Sequence, residues 1–161
     1  MTRKSRNKNE LFCICVRQPV AHYVKTGDRW HLNMTWQCKR NPGYVAIHAA
    51  LQKTLVEWCA EPSDLVFGAI VAVAHVACIL HEDEMEEFIE YNYPAFDWLK
   101  SANTTGPFIW ILNAIHPLSC SVPYDGWHGC WSLPSTITSL VRSFSPVEPL
   151  TRFSSKMEPV S

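Results

Sequence analysis

Tyr23 and Arg29 stand six residues apart on either side of Gly27. A phenol beside a guanidinium can hold a phosphate and stabilise its charge with no base present. The plain alternative is that Tyr23 packs on the surface of its helix. Arg17 and Gln18 come just before a stretch that reads as a helix, whose first free N–H groups would make a natural anion site; Arg17 bridging a strand to a loop is the structural counterpart. His48 closes the alternation Tyr44, Ala46, His48 and reads either as lining a site together with Tyr23 and Arg29 or as a hydrogen-bonded histidine at the end of a barrel. Asn33 and Trp36 join this ligand-binding set, and Trp127 reads as stacking on a ligand or packing on Trp131. No catalytic residue is assigned.

Metal chemistry fits poorly. His116 and Cys120 are four apart and His128 and Cys130 two apart, but Pro117, Pro123 and two expected strands in that segment argue against a tetrahedral cage. No metal and no other cofactor is expected. Nothing resembles G-x-G-x-x-G or a P-loop, so a mononucleotide site of the strand-turn-helix type is not expected either.

These side chains need a scaffold, and 161 residues suffice for one compact domain. Apolar residues make up 47% of the chain and charged residues 18%, which excludes global disorder. Fourteen Lys plus Arg against fifteen Asp plus Glu give a formal charge of −1, so any nucleic-acid contact must be local rather than spread over a polycationic surface. The seven cysteines are an odd number with no C-x-x-C pair, which reads as reduced thiols. The apolar stretch Leu11 to Val16 is too short for a signal-peptide core, and Leu65 to Leu80, interrupted by Gly68 and His75, is shorter than the roughly 20 residues of a spanning helix. An intracellular, cytoplasmic protein with no membrane contact is the resulting expectation.

Hydrophobic period then places the elements. Leu11 to Val16 reads as a buried strand; Pro19, the stripe Val20, Tyr23, Val24 and the stop at Gly27 read as a short helix. Trp30, Leu32, Met34 and Trp36 alternate with His31, Asn33 and Thr35, a strand with four large apolar groups on one face. After the Asn41-Pro42-Gly43 turn, Tyr44 to His48 is a third strand, and Leu51, Leu55, Trp58 and Cys59 mark a helix that Pro62 ends. Leu65 to Leu80 is a long buried strand, Glu82 to Glu90 a helix with an acidic first turn, Phe108 to Ile115 and Gly129 to Leu133 further strands. The acidic run Glu82 to Glu90 reads as a solvated face that would repel nucleic acid. Residues 1–10 form a basic flexible arm that could touch phosphate, and 135–161 a Ser/Thr/Pro-rich tail with a short helix near Ile137 to Phe144 and disorder beyond. This pattern gives an α+β class, with a curled sheet of about five or six mostly antiparallel strands and short helices inserted.

Several of these segments together are similar to one family. Arg17-Gln18-Pro19-Val20-Ala21, then Gly27-Asp28-Arg29, Trp36 and Ala46-Ile47-His48-Ala49, resemble the opening of ASCH domains of the PUA-like superfamily, with their "L-S-L-R-Q-P-W-A", G-x-K-x-x-E-x-R and "L-L-I-H-A" segments. Phe67-Gly68-Ala69-Ile70-Val71-Ala72 resembles the "x-G-A-I-V-G" strand. Gly106 to Leu112 and Val122 to Trp131 resemble "F-G-P-W-x-W-V-L" and "V-P-x-R-G-x-Q-G-L-W". The resemblance covers about residues 11–134 and implies a PUA-like small β-barrel with a cleft beside the motif strand. Relatives of this kind bind RNA, read modified bases or carry small hydrolytic activities, and their ribonucleases use a Tyr, Lys and Ser set.

Within the G-x-K-x-x-E-x-R pattern Gly27 matches, Arg29 stands in place of Lys, and Leu32 and Met34 replace Glu and Arg. A guanidinium stays protonated to above about pH 12 and makes a poor base, so the amidohydrolase chemistry of relatives that use Lys, a hydroxyl and Glu is not expected here. Losing both partners of a buried charge pair to apolar groups can be neutral, whereas losing one costs about 3–5 kcal/mol. The resulting apolar face is either a platform on which a base stacks or core. Asp125, where relatives carry Arg, reverses the charge of that loop. The expected function is binding of RNA or a nucleotide-like ligand without catalysis. A hydrolase on modified cytidine or RNA and a protein-interaction or inhibitor module, with a protein partner, are the alternatives.

Overall fold

The computed structural model describes residues 10–38, 40–53, 65–127 and 129–152. In chain order the elements are β1 (Phe12–Gln18), α1 (Val20–Thr26), β2 (His31–Met34), β3 (Tyr44–Lys53), β4 (Ala69–His81), α2 (Met85–Tyr91), β5 (Phe108–Pro123), β6 (Cys130–Ser132), α3 (Ser135–Phe144) and β7 (Leu150–Thr151). Short 3₁₀ turns at Glu82–Glu84 and Asp97–Lys100 precede and follow α2.

The strands form one seven-stranded sheet in the order β2-β5-β4-β3-β1-β6, with β7 added to β5. All pairs are antiparallel except β1 with β3. Two parallel neighbours require a crossover, and here α1 and β2 supply it. The class is therefore α+β with a mostly antiparallel sheet, as its alternating segments imply. The expected barrel does not close: among the described residues β2 and β6 end the path and do not pair with each other. β6 is only three residues long and β2 four, and each pairs with one neighbour, β1 and β5 respectively.

Pleating sends alternate residues of β1 and β3 to two cores. Ile14, Val16, Val45, Ile47 and Ala49 pack with Ala21 and Val24 of α1, with Trp30, Leu32 and Met34, and with Trp110. On the other side Cys13 and Ala46 pack with Ile70, Val73, Leu118, Val122 and with Val141 of α3. A third cluster joins α2 to the ends of β4 and β5 through Leu80, Phe88, Phe96 and Ile109. The apolar face of β2 is core rather than a stacking platform, Leu32 being 2% exposed and Met34 8%; His31, on the other face, is buried as well.

Some elements depart from the sequence reading. That reading ends β5 near Ile115, but the strand continues to Pro123; Pro117 sits opposite Ala72 beside a register shift, where a residue with no N–H is tolerated in a ladder. Leu51 belongs to β3 and is 75% exposed, while the rest of the helix expected there lies outside the described residues. The chain beyond α3 returns to the sheet, Leu150 opposite Ile115 and Thr151 opposite Ala114. The acidic side chains of Glu82, Asp83, Glu84, Glu86, Glu87 and Glu90 are all exposed, and Glu84 closes a capping box by accepting from the His81 N–H at 3.3 Å. The basic arm, apart from Glu10, lies outside the described residues. No helix among them is long and apolar enough to cross a membrane.

Candidate functional site

The stop of α1 places the first candidate. Gly27 adopts φ 81°, a left-handed conformation that glycine enters without a Cβ penalty. The chain then folds back so that the N–H groups of Asp28 and Arg29 both donate to the Tyr23 carbonyl, at 2.9 and 3.0 Å. Arg29, two residues before β2, is half-buried, and its Nε donates to the His31 carbonyl at 2.9 Å. Burial lowers its pKa from the usual guanidinium value. Among the described residues no carboxylate lies within ion-pair distance of Arg29, and its terminal nitrogens have no hydrogen-bond partner.

By alternation His31 and Asn33 lie on the side of this short edge strand opposite Leu32 and Met34, with Arg29 two residues before it in phase; His31 is itself buried, while Arg29 and Asn33 are half-buried. The Asn103 carbonyl gathers two of them: His31 Nε2 lies 3.1 Å away and Asn33 Nδ2 donates at 2.8 Å. A carbonyl can only accept, so Nε2 of His31 carries a hydrogen. Burial, then the nearby Arg29 charge, lowers the His31 pKa below its usual 6.5, against a smaller opposite pull from the Asn103 carbonyl. The imidazole leans on the Trp98 ring at 5.9 Å, and the Arg152 guanidinium lies 4.8 Å above the same indole. Because Nδ2 of Asn33 is committed to Asn103, its Oδ1 points elsewhere, buried and without a partner among the described residues. A buried acceptor left so costs about 1–3 kcal/mol, which a donor from a ligand would recover.

The other candidates are distributed more widely. Tyr23 is half-buried, its ring edge-on to His22 at 5.9 Å. Trp36 is half-buried against Trp110, ring centroids 5.5 Å apart. His48, 1% exposed, lies on the face of β3 shared with Ala46, opposite to Ile47 and the Trp30 core, and so is not beside Trp36. Its ring meets Cys15 Sγ at 3.4 Å, the Tyr124 carbonyl at 2.5 Å and the Trp131 ring edge-on at 6.3 Å. Arg17 is exposed on β1, and Trp127 is 67% exposed in the loop before β6. The structure therefore brings Arg29 and Asn33 together with the Tyr23 backbone, and groups His48 with another set.

The sequence reading does not single out His31, Asn103, Trp98 or Arg152 for this site. His31 alone carries a signal, its phase with Asn33 in β2. The Asn103 carbonyl is about 70 residues further along the chain, and no local pattern announces a loop that returns to an edge strand.

Elsewhere a groove of about 440 Å³ runs beside Cys38, Cys78, His81 and Glu84. Burial, then Glu84, pushes the Cys78 thiol up to about 12, and Cys38 Sγ is spent on the Arg40 carbonyl at 2.8 Å. Among the described residues no three His, Cys, Asp or Glu side chains are grouped to hold a metal ion. Nδ1 of His116 lies 3.0 Å from the Pro146 carbonyl, and His128 is outside the described residues.

No family model matches this sequence, and no curated protein matches it. Among solved structures, the chain is similar to an ASCH protein from Zymomonas mobilis. A serine-to-alanine variant of that protein superposes with a TM-score of 0.52 at 10% identity, covering 86% of this chain and 98% of that one. The unsubstituted protein gives 0.50 at 12% identity over 86% and 98% of the two chains. The chain therefore has an ASCH-like fold, of the kind its sequence segments resemble.

Proposed function

We propose that the chain is an ASCH-like module that binds RNA or a nucleotide fragment through Arg29 and Asn33, inside the cell and without catalysing a reaction on it. The observation that carries this reading is the half-buried Arg29 guanidinium, which has no carboxylate partner among the described residues and lies two residues before His31 and four before Asn33. A nucleotide supplies what both groups lack: a phosphate for the guanidinium, and a ribose hydroxyl or base amino group for the orphaned Oδ1 of Asn33. Trp98, with His31 and Arg152 against it, adjoins the site. The ASCH-like fold supports the assignment at the level of architecture. Tyr23, Arg17, Trp36 and Trp127 remain candidates for the flanks of a longer ligand, while the carboxylates of α2 turn their charge away to solvent.

Fluorescence titration of the full chain with short single-stranded RNA and DNA at low and at physiological salt tests this. Binding that weakens with salt, as phosphate contacts require, supports the reading, with RNA preferred if the 2′-hydroxyl meets Asn33. Absence of binding to either strand at low salt refutes it.

A further inference from the structure

The parallel register of β1 and β3 sets Cys15 opposite His48. Their side chains meet on the sheet face away from Arg29's core neighbours: Sγ lies 3.4 Å from Nδ1, and on the far side of the ring Nε2 lies 2.5 Å from the Tyr124 carbonyl. That carbonyl can only accept, so Nε2 holds the hydrogen; in the neutral ring Nδ1 is then bare, and the thiol hydrogen of Cys15 points at it. The backbone of the 124–127 loop fixes this tautomer. It also clamps the ring, since a Cβ built on Gly126 would come within 2.6 Å of His48 Cε1 and 3.4 Å of Cys15 Sγ. His48 is buried and Cys15 is half-buried. Among the described residues no other cysteine is hydrogen-bonded to an imidazole nitrogen.

Nucleophile, base and a group that orients the base are thus assembled in one line. We propose that Cys15 is an acylation site, a base-assisted thiol that takes acyl groups from activated esters and thioesters. The Sγ–C bond forms as the bond from the acyl carbon to its leaving oxygen or sulfur breaks. The thiol proton passes to Nδ1 of His48, whose charge the Tyr124 carbonyl stabilises, and then goes to the departing phenolate or thiolate. Acyl transfer uses both halves of the pair, the base on the way in and the acid on the way out. Burial pushes the Cys15 thiol up, against a smaller opposite effect of Arg17, so the sulfur rests protonated and reaction depends on His48. Arg17, two residues along the strand and exposed, suits a donor carrying an anionic group. This site is independent of nucleotide binding at β2.

The test treats the full chain with p-nitrophenyl acetate, follows p-nitrophenolate release and locates the acetyl group by peptide mass spectrometry. The expected result is a burst of about one equivalent with Cys15 acetylated first, and a rate about 100-fold lower in H48Q. Acetylation ordered by exposure, with the exposed Cys120 first, or an unchanged H48Q rate, overturns the proposal. If H48Q does not fold, C15S and C120S decide it: the burst must vanish in C15S and survive in C120S, and the reverse refutes it.

Discussion

The Nε of Arg29 donates to the backbone carbonyl of His31 at 2.9 Å, which ties the guanidinium to its own strand and leaves the two terminal nitrogens without a partner among the described residues. This anchoring lowers the entropy lost when an anion arrives, because the side chain is already ordered. Replacing Arg29 with Gln is expected to weaken binding of a short RNA by about 1–3 kcal/mol and to reduce the slope of log affinity against log salt by about one. Titrations of both proteins at several salt concentrations measure the two effects. A variant with unchanged slope would remove Arg29 from the phosphate contact.

His31 gives the fold a pH dependence. Its folded pKa lies below the unfolded value of 6.5 because burial and the Arg29 charge oppose protonation. Below pH 6.5 the unfolded chain therefore binds the proton more readily than the folded one. Stability from this group is complete above that pH and is lost as pH falls toward the folded pKa. Urea unfolding of the wild type between about pH 7.5 and 5 is expected to show a steeper decline than that of His31→Gln, which keeps a donor for Asn103 but does not titrate. Parallel curves would show that His31 contributes nothing to the slope.

The parts of this fold that can be read from sequence are those set by neighbours in the chain. Pro19 and Gly27 bracket α1, and the period of two from Trp30 to Met34 identifies both β2 and its buried face. What cannot be read depends on distant partners. The strand that starts at Phe108 reads as ending at Ile115, but with a register shift beside Pro117 the strand runs on to Pro123. Leu150 and Thr151 carry no strand signal, and their pairing comes from β5 rather than from their own propensity. At the site, Arg29 and Asn33 are legible as residues, whereas the carbonyl of Asn103 that organises the strand face is not. His48 is legible by its alternation, but its Cys15 partner depends on the parallel register of β1 with β3.

Leu32 and Met34, which the sequence resemblance sets at the Glu and Arg of the G-x-K-x-x-E-x-R pattern, make a separate test. Leu32 and Met34 lie in one core and on one face of β2. Leu32→Glu alone is expected to cost about 3–5 kcal/mol, as an unpaired charge is buried. Adding Met34→Arg should recover part of that loss if the two side chains can pair in the space available. A double-mutant cycle by urea unfolding reads the coupling directly. Strictly additive losses would mean that the core around Trp30 and Trp110 has no room for the pair.

Gly126 is the residue on which the His48 arrangement is most exposed to change. Its φ is not in the left-handed region, so alanine meets no backbone penalty there; the obstacle is the imidazole, 2.6 Å from the position a Cβ would take. His48 is buried and bonded at both ring nitrogens, to Cys15 and to the Tyr124 carbonyl, so it cannot step aside without losing one of them. Gly126→Ala should therefore destabilise the fold by about 1–3 kcal/mol, the usual range for overpacking. It should also slow the release of p-nitrophenolate, because a ring displaced from Cys15 no longer takes its proton. Thermal unfolding gives the first quantity and the burst rate the second. A protein with normal stability and a normal burst would show that the 124–127 loop gives way freely and does not hold the ring.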